Sequence, residues 1–263
     1  MSEPTRILAI HAHPDDVEFQ CAGTLSLLKK RGCHITIATM TPGDCGSAEH
    51  SPEEIAAIRR SEAKAAADLL GADYLCLEFR DLAIFPDDDG RRRVVEAIRR
   101  VRPHLILTAP PVDYHDDHEA TSQLVCGACF AAPAPNYKTK QWDPAPATDK
   151  IPYLYFVDAL EGNDREGKPT PVDFWVDVTP EFPLKKKMLA CHASQRNWLL
   201  RQHGIDEYLD SQEHWSKHRG TQIGVEYAEG FRQYVGHPYP RQNRLLELVG
   251  QDGRGKPLDP LFG

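Results

Sequence analysis

The chain has 263 residues, of which 41% are hydrophobic and 27% are charged, and its formal net charge is −8. A chain of this length can bury a full hydrophobic core without disulfides or structural metal, and its composition is that of a globular protein. The acidic balance argues against a protein that binds nucleic acid through its phosphates. No apolar run approaches the roughly 18 residues of a membrane helix, so we expect no integral membrane segment.

The N-terminus enters an apolar run at Ile7 without the charged region and cleavage site of a signal peptide, which predicts a cytoplasmic protein. The seven cysteines are an odd number and widely scattered, which favours free thiols over a disulfide framework. The Cys-x-x-Cys pair Cys126 and Cys129 lies in an apolar run, so we expect buried small residues rather than a redox or metal site.

Strand-like and helix-like patterns alternate over the first 130 residues. The predicted strands cover 6–10, 34–40, 73–77 and 104–109, and the predicted helices cover 17–31, 52–70, 90–101 and 118–130. The helix at 52–70 has a typical N-cap at Ser51, proline and acidic residues in its first turn, and a stop at Gly71. This order predicts an α/β, Rossmann-like fold with a mostly parallel sheet and helices on both faces.

The alternation stops at residues 131–150, where four prolines predict a long surface loop and a candidate lid. Beyond it we expect strands at 151–157 and 172–178, a helix at 180–203, and mixed helix and loop at 206–234. The tail from Gly250 is expected to be loosely held. We predict one domain over residues 1–263, with a core at about 5–130 and a C-terminal strand and helix extension at about 131–250.

Two segments rich in histidine and aspartate carry the candidate chemistry. His11-Ala12-His13-Pro14-Asp15-Asp16-Val17-Glu18 follows the first predicted strand, and His115-Asp116-Asp117-His118-Glu119 follows the fourth. Ligands of open α/β sheets bind at the carboxyl ends of the strands. In the strand order 3-2-1-4-5, which we assume, the first and fourth strands are neighbours and the two segments face each other.

Imidazole and carboxylate ligands together suit catalytic zinc, which takes three protein ligands and keeps one open position. His13, Asp16 and His118 can supply the three ligands, which leaves Asp15 free to take a proton from a water that the metal activates. The same ligand set also suits ferrous iron.

His115 and Asp117 form a second candidate pair, in which the histidine protonates a leaving group and the carboxylate orients it. Carboxylates at helix starts are also ordinary capping groups. Spacing alone therefore leaves a purely structural interpretation open.

The stretch from Ala12 to Glu18 resembles the signature of the PIG-L/LmbE-like family of zinc-dependent de-N-acetylases. That family includes enzymes that deacetylate N-acetylglucosaminyl-phosphatidylinositol and the sugar precursors of mycothiol and bacillithiol. Its second motif, usually His-Pro-Asp-His, corresponds to His115-Asp116-Asp117-His118, with Asp116 in place of the proline. The resemblance covers residues 5–130 well and the C-terminal part more loosely.

The resemblance implies a hydrolase that removes an N-acetyl group from a small molecule containing an amino sugar. It also implies a homo-oligomer, a trimer or hexamer, whereas the exclusion of a nucleic-acid partner rests on the acidic charge. The resemblance also assigns roles to eight residues. His13, Asp16 and His118 would bind zinc, and Asp15 would be the general base. His115, oriented by Asp117, would polarise or protonate the tetrahedral intermediate, and Arg59 and His192 would bind substrate.

Three alternatives stay open. A related metal-dependent amidohydrolase could act on a non-sugar or antibiotic-type N-acyl substrate through the same core. A nucleotide-binding enzyme is suggested by fold alone, but the first strand–helix turn lacks G-x-G-x-x-G. A non-catalytic, metal-bound binding protein would have no need of Asp15, His115 and Asp117.

Three other histidines and the tryptophans receive structural interpretations. We expect His11 to support the site or the core. His214 and His218 lie one helical turn apart but lack the glutamate of a His-Glu-x-x-His metal motif. The four tryptophans are expected to pack rather than to bind sugar.

Overall fold

A computed structural model describes residues 3–203 and 208–255. The strands are β1 (Arg6–His11), β2 (His34–Thr39), β3 (Asp73–Cys76), β4 (Leu105–Thr108), β5 (Tyr153–Val157), β6 (Phe174–Asp177) and β7 (Ala228–Gln233). The α-helices in the described ranges are α1 (Asp16–Gln20), α2 (Ala22–Lys30), α3 (Pro52–Leu70), α4 (Asp88–Val101), α5 (Asp116–Ala131), α6 (Phe182–Leu189), α7 (Ala193–His203), α8 (Tyr208–Ile223) and α9 (Arg244–Val249).

The strands form a single seven-stranded sheet in the order β3-β2-β1-β4-β5-β7-β6. The first five strands in this order run parallel, and β7 runs antiparallel to β5 and β6. The predicted α/β class and the assumed order 3-2-1-4-5 are both confirmed. The antiparallel β7 falls within residues that the sequence described only as mixed.

Both faces of the sheet are covered, as a parallel sheet requires. Along β1, Ile7 and Ala9 belong to one hydrophobic cluster, and Leu8 and Ile10 belong to the other. This alternation follows from the two-residue period of a strand. Helices α2, α3, α6 and α9 contribute to the first cluster, whereas α4 and α5 contribute to the second.

The start of α3 confirms the predicted N-cap. Ser51 Oγ accepts the backbone N–H of Glu54 at 3.3 Å, and the Glu54 carboxylate accepts the N–H of Ser51 at 2.9 Å. This reciprocal capping box satisfies two donors that the first helical turn leaves unpaired. The helix ends at Gly71 with φ of 67°, a conformation that glycine adopts without steric cost.

Two predicted helices are broken. The expected helix at 17–31 divides at Cys21 into α1 and α2. The start of α2 is stabilised by a residue that is distant in the chain, because the N–H groups of Gly23 and Thr24 donate to the Glu229 carboxylate of β7 at 2.9 and 2.8 Å. The expected helix at 180–203 divides into α6 and α7, with a short 3-10 turn before α6. Of the mixed stretch at 206–234, residues 206 and 207 lie outside the described residues.

The first residue of the loop predicted at 131–150 is the last residue of α5, and the rest of the loop contains neither helix nor strand. It lies along α4, where Glu96 accepts hydrogen bonds from the hydroxyl of Thr139 at 2.6 Å and the N–H of Ala145 at 3.0 Å. Arg99 of α4 donates to the carbonyl of Ala132 at 3.0 Å. The loop is therefore fixed to the outer face of α4.

The first residues of the tail are held more firmly than predicted, since Gly253 and Gln251 accept backbone N–H groups of β6 at 3.0 and 2.8 Å. The rest of the predicted loose tail, 256–263, lies outside the described residues. The cysteines are free thiols, and Cys129 is buried. None of the described helices combines the length and apolar character needed to cross a membrane.

The buried ion pair between Glu229 and Lys185 offers a test of how the C-terminal extension is attached. Lys185 Nζ donates to Glu229 Oε1 at 2.7 Å, and both side chains are almost fully buried. Breaking one partner of a buried pair costs about 3–5 kcal/mol. We expect Glu229→Gln to lower the free energy of unfolding, measured with urea, by about that amount.

The double variant Glu229→Gln with Lys185→Met is the matched control, because it leaves no unpaired buried charge. It should recover part of the lost stability. A double variant no more stable than Glu229→Gln alone would contradict this account of the attachment.

Candidate active site

The two histidine- and aspartate-rich segments lie side by side at one edge of the sheet. β1 pairs in parallel with β4, and Ile10 lies opposite Thr108. The chain after β1 leads into α1, and the chain after β4 leads into α5. Both connections therefore leave the carboxyl edge at the switch point of the strand order, where open α/β sheets bind ligands.

Three side chains from these connections, the donor triad, converge through one atom each. His13 Nδ1 lies 3.3 Å from Asp16 Oδ2, His118 Nε2 lies 3.4 Å from the same oxygen, and the two ring nitrogens lie 3.3 Å apart. A tetrahedral ion with bonds of about 2.0–2.1 Å separates its ligand atoms by about 3.3–3.4 Å. The three atoms thus fit three corners of a tetrahedral metal site.

Each histidine of the donor triad contacts a carboxylate through its other ring nitrogen. His118 Nδ1 lies 3.1 Å from Asp113 Oδ1, and His13 Nε2 lies 3.1 Å from Asp81 Oδ1. Such carboxylates orient ligand imidazoles and fix their tautomers. Sequence analysis assigned no role to Asp113 or Asp81. Both could have been sought on the general ground that histidines that bind a metal usually donate their other N–H to a carboxylate.

His11 lies against Asp16 on the side away from the cavity. Its Nδ1 is 2.6 Å from Asp16 Oδ2, so a proton on Nδ1 is donated to that carboxylate. The ring is buried, and burial lowers the pKa of His11 despite the nearby Asp16. We therefore place His11 behind the donor triad, where it fixes the Asp16 carboxylate.

Asp15 stands beside the donor triad and precedes α1 with φ of 104°, which is uncommon for a residue with a side chain. Its Oδ2 accepts the hydroxyl of Tyr208 at 2.7 Å and lies 3.7 Å from Arg59 Nη2. Burial raises the pKa of Asp15, and the Arg59 charge opposes that rise. A carboxylate with increased proton affinity therefore lies next to the expected metal ligands.

His115 lies over the donor triad, with ring centroids 4.8 Å from His13 and 4.9 Å from His118. Its Nδ1 accepts the backbone N–H of Asp117 at 3.2 Å. Burial and the two neighbouring histidines lower the pKa of His115, which favours the neutral ring at pH 7. A neutral imidazole that accepts at Nδ1 carries its proton on Nε2.

The carboxylate of Asp117 is directed elsewhere than expected. It accepts the N–H groups of Leu82 at 2.8 Å and Ile84 at 3.2 Å, and it lies 3.3 Å from His13 Nε2. The predicted orientation of His115 by Asp117 therefore runs through the Asp117 backbone N–H, not through its carboxylate. The reason lies at the start of α5, where His115 is the N-cap and its side chain accepts the backbone N–H of Asp117 in the first helical turn.

Arg59 reaches the site from α3 and donates to the carbonyl of Pro14 at 2.8 Å. A Cβ added at Gly43 or Gly46 would lie within 2.5 Å of its guanidinium, so the chain after β2 can approach this closely only with glycine. Arg59 is buried and lines the cavity described next. It both fixes the backbone that carries Asp15 and remains within reach of a ligand.

The donor triad opens into a cavity of about 470 Å³, a volume typical of small-molecule sites. Much of its wall comes from the C-terminal extension: Leu160, Glu161, Gln195, Trp198, Leu199, Tyr208 and Ser211. Trp198, which was expected only to pack, therefore lines the cavity. Apart from Gln195, which ends a stretch that matches the family loosely, none of these residues belongs to a motif, so their place in the cavity wall could not be predicted from the sequence.

Two expectations about the surroundings need correction. The loop at 131–150 contributes no residue to the described cavity lining, so the predicted lid is wrong. Glu96 and Arg99 instead hold the loop on α4, and Trp142 is fully exposed there. His192 is completely buried behind Asp15, with Nε2 3.5 Å from Glu18 Oε2, and does not line the cavity.

Another cluster near the donor triad, at Asp44, Cys45 and Asp81, places possible ligand atoms within 4.8 Å of one another. Its hydrogen bonds are internal, since the N–H of Cys45 donates to Asp81 at 3.2 Å and the N–H of Asp81 donates to Asp44 at 2.8 Å. Burial and both carboxylates raise the pKa of the Cys45 thiol, which disfavours the thiolate that a metal needs. The cluster therefore serves to hold Asp81 against His13.

An open α/β sheet with a donor triad at its switch point is typical of a metal-dependent enzyme. The sequence model of the family described as GlcNAc-PI de-N-acetylase, PIG-L, matches residues 8–129. A deacetylase of 1D-myo-inositol 2-acetamido-2-deoxy-alpha-D-glucopyranoside from Nakamurella multipartita is 30% identical over 236 residues, which cover 73% of this chain and 80% of the relative. A 4-oxalmesaconate hydratase from Pseudomonas putida is 27% identical over 201 residues, covering 72% and 74%.

Among solved structures, N,N'-diacetylchitobiose deacetylase from Pyrococcus horikoshii superposes with a TM-score of 0.75 at 25% identity, covering 90% of this chain and 88% of that one. The chain belongs to the PIG-L family of GlcNAc-PI de-N-acetylases. The family and the enzyme class predicted from the two motifs are thereby confirmed.

Asp113 provides a test of the metal site that leaves all three ligands in place. Loss of a carboxylate that orients a ligand histidine costs about 10–100-fold in metal affinity. We expect Asp113→Asn to weaken zinc binding by that factor in a competition titration with a chromogenic chelator. Asp116→Asn, an exposed neighbour, should bind zinc like the unaltered protein, and equal affinity of the two variants would contradict the assignment.

Metal binding should also release protons. Burial lowers the pKa of His118, but Asp16 and Asp113 raise it more strongly, to about 9 in the metal-free protein. The ring is therefore protonated at pH 7.5 and must become neutral to bind a metal. Calorimetry in two buffers of different ionisation enthalpy should show at least about one proton released per zinc, with affinity rising with pH until about pH 9. Binding without proton release would contradict His118 as a ligand.

Proposed function

We propose that this protein is a metal-dependent hydrolase that removes an N-acetyl group from a small molecule containing an amino sugar. The observation that carries the proposal is the donor triad with Asp15 beside it at the base of a ligand-sized cavity. The deacetylases named among its relatives act on N-acetylated glucosamine compounds, which supports this substrate class.

His13, Asp16 and His118 would hold the metal, and their separations suit zinc, although ferrous iron shares the ligand types. A zinc ion there would supply Lewis-acid polarisation of a carbonyl and would acidify water at neutral pH. The outer carboxylates of Asp113 and Asp81 would keep both imidazoles in the tautomer that ligation requires.

Asp15 is proposed as the general base. Its carboxylate takes a proton from the water whose oxygen bonds to the amide carbon, and its raised pKa suits that task. The Tyr208 hydroxyl and Arg59 hold the carboxylate from the other side. This assigns Tyr208 and Arg59 as residues that position Asp15.

His115 is proposed as the group that meets the developing negative charge on the amide oxygen. Its Nε2–H is available because Nδ1 is occupied by the N–H of Asp117. The C–N bond then breaks, the amine leaves with a proton, and acetate and the free amino sugar are the products. Protons pass through Asp15 and His115, in line with their positions in the cavity lining.

Arg59 also lines the cavity, so a direct contact with substrate remains part of the proposal. His192 would act on the site only through Asp15 and Glu18. The homo-oligomer, trimer or hexamer, stays a prediction. Hydration of a carboxylate-rich compound, as named for one relative, is disfavoured because Arg59 is the single lysine or arginine in the described lining.

Asp15→Asn tests the proposed base. Asparagine tolerates the left-handed backbone at this position, so the fold and the metal site should be preserved. We expect one metal per chain and a fall in kcat of about 10²–10⁴-fold, measured as acetate released from a panel of N-acetylglucosaminyl compounds.

Tyr208→Phe is the matched comparison, since it removes only the hydroxyl that donates to Asp15. Its loss in kcat should be much smaller than that of Asp15→Asn. Full activity of Asp15→Asn would overturn the assigned base, whereas no acetate release from metal-loaded unaltered protein on any compound would overturn the proposed function.

A further inference from the structure

The cavity carries more negative than positive charge. Among the described lining residues the carboxylates are Asp15, Asp16, Asp81 and Glu161, and Arg59 is the only lysine or arginine. Arg59 is already engaged with backbone carbonyls and lies near Asp15. Apart from the metal itself, Arg59 is thus the only lysine or arginine among the described lining residues that an anionic group on a ligand could meet, and its positive charge is shared with Asp15.

Glu161 is the one carboxylate in this set that the proposed chemistry does not use. It follows β5 in a short 3-10 turn, Leu160–Gly162, with φ of 55° and ψ of 13°. Such a conformation strains a residue with a side chain and persists only where the surroundings impose it. Among the described residues Glu161 has neither a hydrogen bond nor an ion pair, and it is exposed at the cavity wall.

The turn that presents Glu161 is rigidly supported. Asp158 and Arg219 form a buried pair with N–O distances of 2.5 and 2.9 Å, and the Arg219 guanidinium lies 4.6 Å from the centroid of the Trp215 ring. A Cβ at Gly162 would lie 2.4 Å from Trp215, so the turn packs directly on that ring. Contacts with α8 therefore hold at the wall a carboxylate that has no partner among the described residues.

The charge of Glu161 faces the same space as the donor triad. The Tyr114 ring contacts His115 and His118 and lines the cavity. Burial raises the pKa of the Tyr114 hydroxyl, and the charges that add to this rise include Asp16, Asp113, Asp15 and then Glu161. Arg165, on the same loop, cannot neutralise Glu161, because it is paired with Asp116 at 3.0 Å and Glu119 at 2.6 Å.

We propose that Glu161 is a specificity-determining residue that binds a cationic or hydroxyl-bearing group beyond the acetylated sugar of the substrate. The enzyme then prefers neutral or positively charged amino-sugar compounds over those whose second group is a carboxylate or phosphate. This inference rests on the proposed deacetylation and names its substrate class more narrowly.

The test compares three N-acetylglucosaminides whose small aglycones carry different charges: neutral methyl, cationic 2-aminoethyl and anionic carboxymethyl, each in both anomeric forms. Acetate release by the zinc-loaded enzyme gives kcat and KM. An exposed ion pair changes affinity by at most about fivefold. The aminoethyl compound gains one such attraction to Glu161 and the carboxymethyl compound meets a repulsion of similar size, so we expect the first to exceed the second in kcat/KM by about fivefold to tenfold, through KM.

Glu161→Gln should reduce this preference to within about twofold, and Glu161→Lys should reverse it. Glu166→Gln is the matched control, since Glu166 lies on the same loop, pairs with Lys168 and does not line the cavity. It should keep the preference of the unaltered enzyme. A preference that is absent from the unaltered enzyme, or that survives in Glu161→Gln, would overturn the role of Glu161.

A second measurement separates this inference from the proposed reaction. Calorimetric Kd values of the same glycosides for zinc-loaded Asp15→Asn report binding without turnover. We expect the aminoethyl compound to bind more tightly than the carboxymethyl compound, and we expect this difference to disappear when Glu161→Gln is added. That result would support the role of Glu161 even if no acetate were released. Equal affinities for the charged compounds, or no binding of any compound, would contradict the role of Glu161.

Discussion

The pairing of β1 with β4 is the constraint on which the site depends. The two strands are about a hundred residues apart in the chain, yet their residues lie in register from Ile7 and Leu105 to Ile10 and Thr108. A slip of one residue would move one connection by about 3.3 Å along the other. Since the atoms of the donor triad are themselves only 3.3–3.4 Å apart, such a slip would destroy the metal site.

The register is secured by hydrophobic burial. Ile7, Leu8, Ala9 and Ile10 are completely buried, and they alternate between two clusters on opposite faces of the sheet. A one-residue shift would exchange the two sets of side chains and disturb both clusters. Packing energy distributed over the core thus fixes the relative positions of a few polar atoms at the edge of the sheet.

The site gathers several carboxylates whose negative charge the surrounding side chains do not fully balance. Asp15, Asp16, Asp81, Asp113 and Asp117 surround two histidines within a largely buried region. Isolated buried charges are costly, so the site is stabilised when its histidines carry protons or when a cation replaces those protons. Metal binding is therefore coupled to protonation and to the stability of this edge of the sheet.

How much could be read from the sequence depends on how far apart the cooperating residues lie. Strands β1 to β4, helix α3 and the donor triad depend on local patterns and short motifs, and they were predicted correctly as elements or brought together as expected. The break at Cys21 depends on Glu229, about two hundred residues away. Tyr208 reaches Asp15 over a similar distance. Neither pairing produces a recognisable pattern in the neighbouring sequence. The proline-rich loop at 131–150 has the composition of a lid, and only its contacts with α4 show where it lies.

X-ray absorption at the zinc edge tests the central claim, that His13, Asp16 and His118 form the metal site. With one equivalent of zinc, the account predicts only nitrogen and oxygen neighbours at about 2.0–2.1 Å, with the outer scattering of two imidazoles. His118→Ala should remove one imidazole or abolish binding. A sulfur neighbour at about 2.3 Å, which would indicate zinc at Cys45, or a spectrum unchanged by His118→Ala, would contradict the account.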